Sequence, residues 1–224
     1  MGIITDAAAI LLGALIGCIF KSKAVIKQTD IFGIGIIIIS IAGALENLLE
    51  VTDGKVKSTG VISVVAAIIV GYLIGELLKI EKRLVKITDG QGGKGGFVDA
   101  SIFFGVGGLQ ICGSILLGAE GDSTQLYIKS AVDFPFAIML AAVYGATVLL
   151  AALPVAALQT LIAVGAYFFG DFMSGEMLSQ ICAVGYIILC FSGANMLSCA
   201  KKKISCVNML PSVPFVAAFS LLPI

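Results

Sequence analysis

Histidine and tryptophan are both absent, and charged residues make up only 12 % of the 224 positions. Without histidine there is no imidazole metal site, no histidine proton relay and no Ser-His nucleophile pair. A soluble domain carries about 25 % charged residues. The shortage of charge, together with 59 % hydrophobic residues and a mean hydropathy of +1.10, points to an integral membrane protein. The six cysteines (Cys18, Cys112, Cys182, Cys190, Cys199 and Cys206) show no CxxC spacing and lie in or beside apolar runs. They read as small buried hydrophobes, with neither a disulfide nor a metal site. Acidic and basic residues are equal at 14 each, so net charge says little about partners and position says more.

Long apolar runs fill the chain. A spanning helix needs about 20 apolar residues at ~1.5 Å rise each. Eight runs fit: 3–20, 31–49, 60–78, 97–117, 134–153, 154–170, 178–199 and 207–223. Leu153-Pro154 joins the fifth and sixth with almost no loop, and the eighth holds Pro211, Pro214 and Pro223. Seven spans plus a C-terminal half-helix is therefore the alternative count. The fold class expected is an all-α, polytopic helical bundle in one domain, residues 1–224, with residues 79–96 as a Gly/Lys cytoplasmic loop.

Basic residues set an orientation. With the N-terminus outside, Lys21, Lys23, Lys27, Lys79, Lys82, Arg83, Lys86, Lys94, Lys201, Lys202 and Lys203 fall inside, leaving Lys55, Lys57 and Lys129 opposite. The positive-inside rule favours that arrangement and a multi-pass location in the bacterial cytoplasmic membrane. The first run does not read as a signal peptide, because its positive charges follow the apolar stretch.

An internal echo is present. "AAAILLGALIGCIFK" (7–21) and "VAAIIVGYLIGELLK" (65–79) align with GxxxG pairs Gly13/Gly17 and Gly71/Gly75. Gly105 and Gly113 repeat the spacing of Gly35 and Gly43. Residues 1–49 and 59–118 thus resemble a duplicated two-helix hairpin. GxxxG permits close helix approach, within one subunit or in a homo-oligomer. "TDGQGGKGGFVD" (88–99) imitates a phosphate-binding loop, but Thr88 stands at the first glycine and no strand precedes it. It reads as a linker.

Ionisable groups inside a bilayer are costly, so each is a functional candidate. Asp30 and Asp99 can cap helices, and Glu76 can pair with Lys79. Asp133 has two readings: an N-cap with Pro135 two residues on, or a cation ligand paired with Lys129. Pro135 can also free the carbonyl of Ala131. Asp6 is sharper. If it capped the first span, the remaining helix 7–20 would cover roughly 21 Å against about 30 Å of hydrocarbon. Asp6 therefore lies at depth, on the side from which Asp133 enters, where two carboxylates can share a proton or cation. Gln110, among Gly107, Gly108 and Gly113, and Asn195 with Ser192 either join helices or line a solute path; Ser114 and Tyr144 are further lining candidates. Pro135, Asn208 and Pro211 are helix-break candidates.

Several blocks resemble one family in order and spacing: "MGIITDAAAILLGALIG", "VGYLIGELLKIEKRL", "GFVDASIFFGVGGLQICGS", "LYIKSAVDFPFA" and the closing "VNMLPSVP". The chain resembles the bacterial membrane family catalogued as domain of unknown function 554, the YqgA/YdfK-like proteins, whose members carry a transport label. Matching positions are Gly107, Gly113, Ser114, Lys129, Ser130, Asp133, Asn208 and Pro211. The chain departs from the family pattern at Asp6, where asparagine is usual, at Gln110, where a small residue is usual, and at Leu116-Leu117, where a polar Gln-Asp pair is usual.

The leading expectation is secondary transport of a small polar solute coupled to protons or Na⁺. Asp6 and Asp133 take the cation, Lys129 balances charge at the outer mouth, and Gln110 contacts the solute. The alternatives are a non-transporting scaffold or lipid-interacting protein, and a cation-conducting pore. No enzyme, no cofactor and no nucleic-acid partner is expected; the bilayer and a small solute or ion are.

Overall fold

In the computed structural model, residues 1–19, 29–52, 55–83, 95–105, 108–169, 174–199 and 204–220 are described. The basic residues Lys21, Lys23, Lys27, Lys86, Lys94 and Lys201–Lys203, the loop 84–94, Gly107 and the side chain of Asp99 lie outside them. Among the described residues the chain is all-α apart from one hairpin. Its helices are α1 (Gly2–Ile19), α2 (Thr29–Leu48), α3 (Val61–Leu77), α4 (Gly95–Gly105), α5 (Gly108–Glu120), α6 (Thr124–Tyr144), α7 (Ala152–Phe169), α8 (Gly175–Met196) and α9 (Ser212–Phe219). Short strands β1 (Leu49–Thr52) and β2 (Lys55–Ser58) pair antiparallel between α2 and α3. Gly145–Ala151 and Val207–Met209 are 3-10 turns.

Gly2–Ile19, Asp30–Leu48, the run Thr124–Phe169 and Gly175–Met196 are long and apolar enough to cross a membrane, with Val61–Leu77 just shorter. The 46-residue run is a hairpin. A straight helix would put Lys129 and Gln159 about 45 Å apart, yet both bond Asp6. The reversal falls at Gly145, whose φ of 76° and ψ of −156° suit glycine alone.

This hairpin corrects the sequence reading of the fifth span. Helix α6 starts at Thr124, ten residues before the expected start. Its N-terminus is closed by Asp122, whose carboxylate accepts from Thr124 N (2.9 Å) and Thr124 Oγ1 (2.7 Å). Those bonds hold the Asp122 carboxyl below its usual range. Asp133 is therefore no cap, and Pro135 sits inside an unbroken helix. Charges at Lys129 and Asp133 do not expel the segment from the bundle because they face each other at i,i+4. The eighth segment is indeed interrupted: Asn208 lies in the 3-10 turn and Pro211 immediately precedes α9.

Close helix contacts depend on small residues. Gly13 and Gly17 lay α1 against the backbone of α6, and a Cβ on either would come within 2.9 Å of the Ala137 or Ala141 methyl. These contacts run in the same order along both helices, so α1 and α6 are parallel. Two apolar cores result. One gathers Ile10, Ala14, Ile36, Phe104, Phe136 and Val148. The other gathers Val64, Ala67, Ile115, Ile181, Met209 and Val216.

The sulfur chemistry also differs from expectation. Cys112 of α5 and Cys182 of α8, both almost fully buried, form a disulfide. They are 70 residues apart, so spacing along the chain could not pair them. Cys18, Cys190, Cys199 and Cys206 are free thiols.

Candidate functional site

Four helices converge on one buried polar chain. Asp6 of α1 is 0 % exposed, Lys129 and Asp133 of α6 are 3 % and 5 %, and Gln159 of α7 and Gln110 of α5 are both 0 %. Lys129 Nζ donates to Asp6 Oδ2 at 2.7 Å and also to Asp133 Oδ2. Gln159 Nε2 donates to the same Asp6 oxygen at 2.7 Å and to Gln110 Oε1 at 2.9 Å. Gln110 Nε2 completes the chain by donating to the Val155 carbonyl at 3.3 Å. The orientation of the Gln159 amide is fixed by its neighbours, because its nitrogen faces two acceptors. Ser114 anchors the far end by donating to the Gln110 carbonyl at 2.6 Å.

Asp6 lies inside α1, one turn from its start, so the helix begins before it, as the length of a membrane span demands. Lys129 is clamped between two carboxylates. Burying one ammonium with two carboxylates leaves a formal charge of −1 in a low-dielectric interior, where unpaired charge is costly. Asp6 Oδ1 and Gln159 Oε1 have no hydrogen-bond partner among the described residues.

A cavity of about 40 Å³ opens beside this chain, enough for roughly two or three waters. Gln110, Lys129, Asp133 and Ser192 form its polar side, and Phe103, Phe104 and Phe136 part of its apolar wall. Phe103 and Phe136 pack with ring centroids 4.6 Å apart and planes tilted by 41°.

Other candidates fall elsewhere. Asn195 does not line the cavity; its amide holds the backbone of Ile204 through Ile204 O (2.6 Å) and Ile204 N (2.9 Å). Tyr144 ends α6 at 43 % exposure, away from the cavity. Glu76 bonds Asn208 Nδ2 at 2.8 Å, and Asn208 Oδ1 accepts from Glu81 N. Asp30 accepts from Ser198 N at 2.6 Å. Gln159 escaped the sequence reading because a lone amide in "VAALQTLIAVGAY" carries no charge. The signal available was its place at the middle of an otherwise apolar run, the same signal that marked Gln110.

Long apolar helices enclosing paired charges define an all-α polytopic membrane protein. The family model described as "Protein of unknown function (DUF554)" matches residues 1–221, and the chain belongs to that family. It is 26 % identical over 215 residues to the "Uncharacterized membrane protein YdfK" of Bacillus subtilis (strain 168), covering 95 % of this chain and 92 % of the relative. It is 26 % identical over 231 residues to the "Uncharacterized protein YqgA" of Escherichia coli (strain K12), covering 95 % and 93 %. No solved structure matches. Asp6 and Gln110 are the groups that Gln159 bridges.

Proposed function

We propose that the protein is a secondary carrier for a small polar solute, coupled to a monovalent cation that binds at Asp6 and Asp133. One observation supports this above the rest. Two carboxylates from different helices share one lysine ammonium inside the bundle, beside a cavity, and their formal charges sum to one negative charge in excess. A bundle that needed only glue would be cheaper with apolar residues at these positions. Cation arrival or departure changes which carboxylate Lys129 serves, and that links ion binding to the packing of α1 on α6. Gln110 and Ser192 offer the solute hydrogen bonds, and the phenylalanines an apolar wall.

The orientation proposed is N-terminus outside, in a bacterial cytoplasmic membrane. The parallel course of α1 and α6 is what spans one and five require in either orientation, and the orientation itself rests on the basic residues. A structural pin is the second reading, favoured by one fact: Lys129 is served on both sides and Gln159 ties the pair to α7 and α5.

Thermal unfolding of the purified protein across Na⁺, pH and a solute panel separates the two. A ligand at 100 times its Kd stabilises by about 2.7 kcal/mol. The carrier reading expects such a shift in wild type and its loss in Asp6→Asn and Asp133→Asn. A wild type that no cation or solute shifts overturns the carrier and leaves the pin.

A further inference from the structure

We infer that the coupling ion is a proton, carried on Asp6 Oδ1 and hydrogen-bonded to Gln159 Oε1. The inference rests on the cation-coupled reading above and deepens it by naming the ion and a residue that holds it.

A carboxylic acid and a carboxamide pair through two bonds. The amide N–H goes to one carboxyl oxygen, and the acid O–H goes to the amide oxygen. The first bond is present, from Gln159 Nε2 to Asp6 Oδ2 at 2.7 Å. The two atoms that the second bond joins are Asp6 Oδ1 and Gln159 Oε1. Both belong to residues with 0 % exposure, and both lack a partner among the described residues. Two acceptors left bare on adjoining groups are costly. A hydrogen between them satisfies both at once.

Charge gives the same answer. The charged groups facing Asp6 are Lys129 and Asp133, both from α6. Helix α7 and the Gly145–Ala151 turn present no carboxyl or amine, and α5 presents Gln110. Asp6, Asp133 and Lys129 sum to −1, and one proton brings the cluster to neutrality. A bound metal ion fits less well. Hard cations gather about six or more oxygens, whereas Asp6 and Gln159 do not line the cavity and offer two bare oxygens.

The step balances simply. A hydronium ion gives its proton to Asp6 Oδ1, forming the O–H bond and leaving water; release to water reverses it. Asp6 without its proton becomes an anion that competes with Asp133 for Lys129.

Infrared spectroscopy of the full chain with carboxyl-labelled aspartate tests this. The spectrum expected at neutral pH contains a protonated-carboxyl stretch that shifts in D₂O and is absent from Asp6→Asn. In Gln159→Leu the band should persist at higher frequency, having lost its hydrogen bond, which keeps the test open should Asp6→Asn fail to fold. No such band, or a band removed by Asp133→Asn and kept in Asp6→Asn, overturns the inference. If the band is missing while Na⁺ still stabilises wild type, the carrier reading survives with a metal ion. If the band is present and no ligand shifts the protein, the proton stands and the carrier reading falls.

Discussion

Lys129 is the residue on which the site turns. Its ammonium answers two carboxylates that reach it from different directions, Asp6 across a helix interface and Asp133 from one turn along its own helix. Removing one partner from a buried pair leaves uncompensated charge, at a cost of about 3–5 kcal/mol. Lys129→Met should therefore destabilise by that order. Adding Asp133→Leu removes the stranded carboxylate and should recover part of the loss, with a coupling of about 0.5–3 kcal/mol. Denaturant unfolding in detergent of wild type, the two single variants and the double variant measures this. A double variant no more stable than Lys129→Met would mean that the stranded Asp133 is not what destabilises the single one. Asp6 was legible in the sequence because a helix starting after it is too short to span. Its bond to Lys129 was not legible, since the two residues are 123 positions apart and hydropathy treats every charge as an isolated expense.

At the scale of helices, the all-α character could be read because apolar runs fill the chain, but the expected run 97–117 is two helices, α4 and α5, and the run 207–223 holds a 3-10 turn and the short α9. The start of α6 could not be read either. Hydropathy placed it after Asp133, where charge ends, whereas the helix begins at Thr124 and carries Lys129 and Asp133 inward as a compensated pair. The turn at Gly145 was hidden for a related reason: "VYGATVLLAALP" is apolar throughout, so composition does not mark the reversal. The disulfide between α5 and α8 was hidden too, since only the folded bundle brings Cys112 to Cys182, with Cα atoms 5.1 Å apart. Of the 6 cysteines, denaturing alkylation without reductant should therefore modify Cys18, Cys190, Cys199 and Cys206 alone. All six should react after reduction, and mass spectrometry reads the difference. Modification of all six before reduction would show that α5 and α8 are held by packing only. A disulfide of this loop length contributes typically 2–4 kcal/mol, so reduction should also lower the unfolding temperature.

Taken whole, the molecule has two apolar cores, and the polar chain adjoins the first of them, where Gln110 bonds the Val155 carbonyl. Ile10, Phe104 and Phe136 belong to one core, and Val64, Ile181 and Val216 to the other. The cavity is walled by the first core: Ile36, Phe104, Val132 and Phe136 line it, with Gln110 of α5 and Ser192 of α8 on its polar side. A carrier must open such a cavity to one side of the membrane at a time. A pore opens it to both, and a scaffold to neither. Val132 is the position to watch, because it lines the cavity, is buried and carries no charge. In a background with Cys18, Cys190, Cys199 and Cys206 replaced by alanine, Val132→Cys can be challenged in proteoliposomes with a membrane-impermeant thiol reagent from either face. The carrier reading expects labelling from one face, with protection there coupled to exposure on the other when pH or solute changes. Equal labelling from both faces under one condition would make the cavity a pore. No labelling from either face under any condition would mean that the cavity does not open, and Lys129 with its carboxylates would then be a pin that holds α1 to α6.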